Sequence, residues 1–286
     1  MIIDTFPFNK DFRALEIRLS EMGELADLIV ISESTVTHSG DRKPLHLSEN
    51  MDALGKFREK VQVLISRENK WISNPRIREM IQRQEITKFL EKIVRKDDYV
   101  IHSDCDEIPR KKTVESLVNS KIKGSFLLQL DNYANALNLS DGKWDRLRVV
   151  SGDYFESIQK MRQDIFLQKL FGSRSKDWAI IRVPDFWTER KYLWRAPQLV
   201  RRPEMSLILE GGWHFNNLLY DHEVIEKIEN SCHVEWATEE VKAKAMKNFR
   251  EGRDIYLGKE FERVNIDDSY PDEIRLNMDK WSGFIR

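Results

Sequence analysis

A chain of 286 residues with 41% hydrophobic content can bury a sizeable core, and one large domain is expected. Its 47 basic and 48 acidic side chains leave a formal charge of −1, which argues against the broad basic field of a protein that binds nucleic acid by electrostatics. The two cysteines, Cys105 and Cys232, argue against a disulfide framework. No stretch reaches the roughly 20 apolar residues that span a bilayer, and the first residues lack a signal peptide's pattern, so a cytoplasmic location is expected.

In chain order, Ile2 to Phe6 reads as a strand, and Phe12, Leu15, Leu19 and Met22 take helical spacing before Gly23. Leu28 to Ile31 is a second strand, followed by a polar loop from Glu33 to Lys43, too hydrophilic for core. Ser48 is placed to cap a helix to about Arg58, and Val61 to Ile65 is a third strand. Asn74-Pro75 opens the next helix, a capping side chain ahead of a ring already fixed at helical φ. That helix is expected to send Ile77, Ile81, Phe89 and Ile93 to the core, with Arg78, Gln82 and Glu85 on another face.

Tyr99-Val100-Ile101 is a fourth strand, and behind it come Asp104-Cys105-Asp106-Glu107, then Pro109 and a helix from Arg110 to Ser120. Alternating strands and helices predict an α/β sheet, largely parallel in its first half. The second half is mixed, with strands at Phe126–Leu130, Leu147–Val150 and Leu207–Leu209, the last ending at Gly211-Gly212-Trp213-His214-Phe215. Helices are expected over Tyr154–Phe171, Asp221–Glu229 and Thr238–Arg250. The organisation is read as a nucleotide-binding half, residues 1–140, and an acceptor half with C-terminal helices, residues 141–286.

Two acids one residue apart at the end of a buried strand suit a divalent cation and the phosphates it carries, because carboxylate oxygens are the natural ligands of Mg²⁺ and Mn²⁺. The strand-to-helix crossover is where open α/β sheets bind ligands. An acidic turn that merely caps the next helix is the alternative. Cys105, between the acids, reads as a packing residue.

Several stretches, taken together and in order, resemble one family. They are Asp4-Thr5-Phe6-Pro7-Phe8-Asn9 with Leu15-Glu16-Ile17-Arg18-Leu19, Glu33 with Thr37-His38-Ser39-Gly40 and Lys43-Pro44-Leu45, Arg78-Glu79 with Gln82-Arg83, Ser103 to Pro109, and Gly212 to Phe215. The family is glycosyltransferase family 17. The resemblance implies a GT-A type Rossmann-like fold, a nucleotide-sugar donor of the UDP-N-acetylglucosamine kind, a divalent Mn²⁺ or Mg²⁺ cofactor, and inversion at the anomeric carbon. It assigns the metal to Asp106 and the donor ribose, or a water on the metal, to Asp104. The acceptor is left as a glycan or other hydroxyl; the balanced charge disfavours a nucleic acid.

Around this frame, His214 is a further metal or diphosphate contact, or a hydrogen-bonded core residue; its two preceding glycines allow close approach to a ligand. Trp213 stacks on a sugar or packs. His233 and Glu235 form an auxiliary contact or serve the fold. Glu33 meets the base or ribose, or caps its loop with Ser32 or Thr35. Arg78 and Arg83 reach the donor phosphates or pair with Glu79 and nearby acids, and Phe8 is carried with them as a donor contact. Glu107 joins the metal or orients the turn. An inverting transfer also needs a base near the acceptor hydroxyl, for which Glu210 and then Asp131 are the candidates, ahead of Asp153 and Asp185. A sugar nucleotidyltransferase, or a glycan-binding relic of the fold, is the alternative function.

Overall fold

The structure, a computed structural model, describes residues 1–67, 72–158, 205–230 and 236–286. Strands β1 (Ile2–Phe8), β2 (Leu28–Ser34), β3 (Val61–Ser66) and β4 (Tyr99–His102) lie side by side in the order β3-β2-β1-β4, all parallel. Near-continuous apolar runs are what such strands require, since helices cover both their faces. The sheet then turns mixed. Beyond β4 come β7 (Leu139–Ser151), β6 (Ser125–Ala134), β8 (Met205–Asn216) and the short β5 (Glu107–Pro109), while β9 (Glu262–Arg263) pairs with the start of β7. Mixed α/β architecture is thus as expected.

Helix α1 (Phe12–Met22) starts where the Asp11 carboxylate accepts the Ala14 N–H at 3.1 Å. It packs Ala14, Leu15 and Leu19 against Phe6, Phe8, Ile29 and Ile31 on one face of the sheet. Helix α2 (Pro75–Leu90) covers the opposite face, burying Ile86 and Leu90 on Ile3, Val30 and Val100. Burying each such side chain contributes about 1.5–3 kcal/mol. Asn74 caps α2 as expected, but the buried face is Gln82, Arg83, Ile86, Thr87 and Leu90, with Ile77 and Ile81 only half-buried. Gln82 accounts for this: its amide donates to the Ser32 carbonyl at 2.8 Å, so a polar contact sets the helix's rotation.

The segment after β2 departs from expectation. Met51–Lys60 is 3₁₀ helix with Asn50 at its start, and Ser48 instead donates its hydroxyl to Glu33 at 3.0 Å. Glu33, Ser34 and Thr37 are buried although their stretch is polar. Helix α3 (Lys111–Asn119) follows β5, and the C-terminal part carries α4 (Val224–Asn230) and α5 (Glu239–Arg250). The helix expected from Tyr154 does not start there, since residues 155–157 have no regular structure, although Ile158 is helical; residues 159–171, Arg201-Arg202, Asp185, Cys232, His233 and Glu235 lie outside the described residues. Among the described residues no helix is long and apolar enough to cross a membrane.

In β8, Ile208 pairs with Leu128 but Gly212 pairs with Leu130, so three residues face one and the strand bulges. Glu210 sits in the bulge with φ of 53°. A Cβ on Gly211 would lie 2.5 Å from the Leu128 Cβ, and one on Gly212 2.0 Å from the Ile108 carbonyl oxygen. These glycines therefore serve the approach of neighbouring strands rather than of a ligand. Their effect is to lay His214 directly opposite Glu107 on β5 and beside Asn132 on β6.

Candidate functional site

The chain leaves β4 at His102, turns through Ser103 to Asp106, and enters β5 at Glu107, at the same sheet edge where β1 and β2 end. Glu107 is buried, with one oxygen accepting the Asp104 N–H at 2.9 Å and the other the Trp144 indole N–H at 2.7 Å. Both its oxygens orient the turn. The Trp144 ring in turn stacks on His214, centroids 4.7 Å apart.

Asp106 and His214 meet across this turn, Oδ2 to Nε2 at 3.6 Å. The His214 Nδ1 lies 2.8 Å from the Asn132 side-chain oxygen, an acceptor, which makes Nδ1 the donor and leaves Nε2 to Asp106. Burial pushes the Asp106 carboxyl up, but His214 and then Lys227 outweigh it and hold the group below its ordinary value. For His214 burial acts downward, and Asp106 above all raises it past the ordinary imidazole value.

Among the described residues no three His, Cys, Asp or Glu side chains are grouped to hold a metal ion. The Asp106–His214 pair nonetheless fits one as a two-ligand set: a hard oxygen and an imidazole nitrogen whose other nitrogen is already tied to an amide oxygen. Cations that travel with phosphates commonly take one or two protein ligands and fill their other positions with water and phosphate oxygens.

Asp104, 37% exposed at its side chain, is the more open acid and binds Arg83 at 2.5 Å; Arg83 also pairs with Glu79 at 2.5 Å. Arg83 therefore reaches the turn through an acid. The remaining expected donor contacts lie elsewhere. Glu33 is fully buried and accepts the N–H groups of Leu47 and Ser48 at 2.9 and 3.1 Å, so it caps its loop, though not with Ser32 or Thr35. Arg78 donates to the carbonyls of His38, at 2.8 Å, and Ile72. Phe8 lies in the core edge-to-face with Phe12, centroids 5.2 Å apart. Trp213 is likewise buried, under the Arg110 guanidinium at 4.3 Å.

Neither candidate base is brought to the acid turn. Glu210 is exposed in the β8 bulge, beyond Pro109 on the side of Arg110 and Thr113, which both bond its carbonyl. Asp131 alternates with Asn132 along β6 and so takes the sheet face opposite His214, where Lys143 binds it. Asp153 accepts the Ser151 hydroxyl at 2.6 Å.

Two groups that the sequence reading passed over are coupled to Asp106 by charge. Lys227, on α4, is raised by Asp106 and Asp11 against the downward pull of burial. Asp11, the cap of α1, is pushed up to about 6, by burial first and then by the charge of Asp106. The neighbouring residues of α4, Glu226 and Asn230, line a cleft of about 360 Å³ with Asn9, Lys10, Thr37 and Lys43.

Asp11 makes a pH prediction. A carboxyl with a folded pKa above its unfolded one contributes stability that is full below about pH 4 and lost as pH rises through 6. Asn caps a helix as well as Asp, so Asp11→Asn is expected to be more stable than the parent by about 3 kcal/mol at pH 7.5. Urea unfolding in EDTA is expected to show this gain shrinking to zero near pH 4; a constant difference would remove the electrostatic cause.

Glycosyltransferase family 17 is matched over residues 1–151. Two proteins named beta-1,4-mannosyl-glycoprotein 4-beta-N-acetylglucosaminyltransferase, from Rattus norvegicus and Homo sapiens, are each 29% identical over 123 residues. That stretch is 40% of this chain and 22% of either relative, so the match spans about a fifth of their length.

Proposed function

The chain belongs to glycosyltransferase family 17, which covers more than half of it, and on that premise we propose that it is a metal-dependent inverting glycosyltransferase. Its donor is a UDP-sugar, N-acetylglucosamine being the sugar that the relatives' names point to, and its acceptor is a glycan or other hydroxyl. The observation that carries the reading is the Asp106–His214 pair, in the turn that follows β4.

Asp106 and His214 would hold Mn²⁺ or Mg²⁺, with Asp11 adding negative charge nearby. When bound, the ion supplies Lewis-acid stabilisation of the charge that builds on the departing diphosphate. The remaining work falls to the chain. Arg83 binds the Asp104 carboxylate at 2.5 Å and so orients this acid, which would face the donor ribose. The Lys227 ammonium, held charged by Asp106 and Asp11, suits the diphosphate on the α4 side. Glu107 and Trp144 fix the turn and the imidazole so that neither must reorganise when a donor enters.

A thermal-shift panel of UDP, GDP and dTDP sugars tests the reading. UDP-N-acetylglucosamine with Mn²⁺ is expected to raise the midpoint by several degrees, since ligand at 100 times its Kd adds about 2.7 kcal/mol. EDTA should abolish the shift. A shift no larger than Mn²⁺ gives alone would overturn the proposal.

A further inference from the structure

Arg18 lies on α1 with no exposed surface, and its guanidinium is shared between two sets of partners. Nε and Nη2 grip the Asp4 carboxylate as a fork, at 2.9 and 2.5 Å. Nη1 donates to the Ser103 hydroxyl at 2.9 Å and to the carbonyls of Asp104 and Glu107 at 2.9 and 2.8 Å. The Ser103 hydroxyl donates to the same carbonyls, its one proton shared between Asp104 at 3.1 Å and Glu107 at 2.8 Å. The plane of the guanidinium rests on the Phe6 ring, 4.3 Å from its centroid.

We propose that Arg18, locked by Asp4, is a positioning residue for the metal-holding turn; the inference rests on the function proposed above. Arg18 gathers the carbonyls at both ends of the turn into one point. With those drawn inward, the Asp104 N–H is free for Glu107, and Asp106 is presented to His214. A lysine cannot replace this, because a point charge cannot span a carboxylate and three turn acceptors as a rigid fork does. Nor does fold stability by itself call for the pair, since buried ion pairs replaced by packed apolar residues often cost nothing. Geometry at the turn is what the pair supplies.

The test is titration calorimetry of Mn²⁺ into the full chain saturated with UDP, alongside uridine binding without metal. Arg18→Lys is expected to weaken Mn²⁺ at least tenfold while uridine affinity changes less than twofold. Leu19→Ala, which loosens the packing of α1 without removing a hydrogen bond of the turn, should lose stability but keep its Mn²⁺ affinity, a split that a merely structural role would not give. Should Arg18→Lys fail to fold, Ser103→Ala decides, with an expected threefold or greater loss of Mn²⁺ affinity. Parent-like Mn²⁺ binding in the folded variant, or a loss matched by Leu19→Ala, overturns the proposal alone. Absence of Mn²⁺-dependent UDP binding in the unaltered protein overturns it together with the proposed function.

Discussion

Asp106→Asn is expected to lower metal-dependent release of UDP from UDP-N-acetylglucosamine by on the order of 10³-fold, the scale seen when a preorganised electrostatic contact to a transition state is deleted. Asparagine keeps the shape and removes the charge. The amide oxygen is a poor ligand for a divalent cation, and His214 loses the neighbour that raises its pKa most. Some stability is expected to be lost too, because His214 and Lys227 outweigh burial and hold the Asp106 carboxyl below its ordinary value, so release is compared on folded protein. Two controls separate chemistry from charge in general: Asp131→Asn and Glu210→Gln should remain within about threefold of the parent, since neither side chain is placed at the turn. UDP release measured against Mn²⁺ concentration reads all three. If Asp106→Asn kept full activity with the same Mn²⁺ requirement, the assignment of the metal would be wrong.

Legibility of the fold and the site followed the range of the interactions. The parallel half could be read because β1, β2 and β4 are buried and carry apolar runs, Ile2-Ile3, Leu28 to Ile31 and Tyr99 to Ile101, and the acid turn could be read because it follows such a strand. His214 could be suspected, but its partners could not: Glu107 and Asn132 reach it through strand pairings across long stretches of chain. The β8 bulge that sets this register is invisible to an alternation pattern, and it is also what carries Glu210 away. Glu33 was legible as a special acid, yet the backbone amides of Leu47 and Ser48 that claim it belong to a loop without periodic signal. Asp11 carried a usable signal, an acid just behind the first strand and at a helix start, which reads as a cap unless the neighbouring acid is known. Lys227 carried none, being one lysine on a short helix.

Asp4→Ala is expected to cost about 3–5 kcal/mol in urea unfolding at neutral pH, among the largest losses any single substitution here should give. The reason is the cation left behind. Arg18 has no exposed surface, and without Asp4 its charge retains only neutral acceptors, the Ser103 hydroxyl and carbonyls of the turn. Replacing both partners by apolar residues, Asp4→Leu with Arg18→Met, removes the stranded charge and should recover part of the loss. Recovery should stop about 1–3 kcal/mol short of the parent, because the two hydrogen bonds that the guanidinium gave the carbonyls of Asp104 and Glu107 are lost, leaving them the Glu107 N–H and the Ser103 hydroxyl. The double variant thus folds better than Asp4→Ala while its turn is less well held, so stability and Mn²⁺ affinity should move in opposite directions between the two. A double variant as stable as the parent and equal to it in Mn²⁺ affinity would show that the carbonyls of the turn need no guanidinium beneath them.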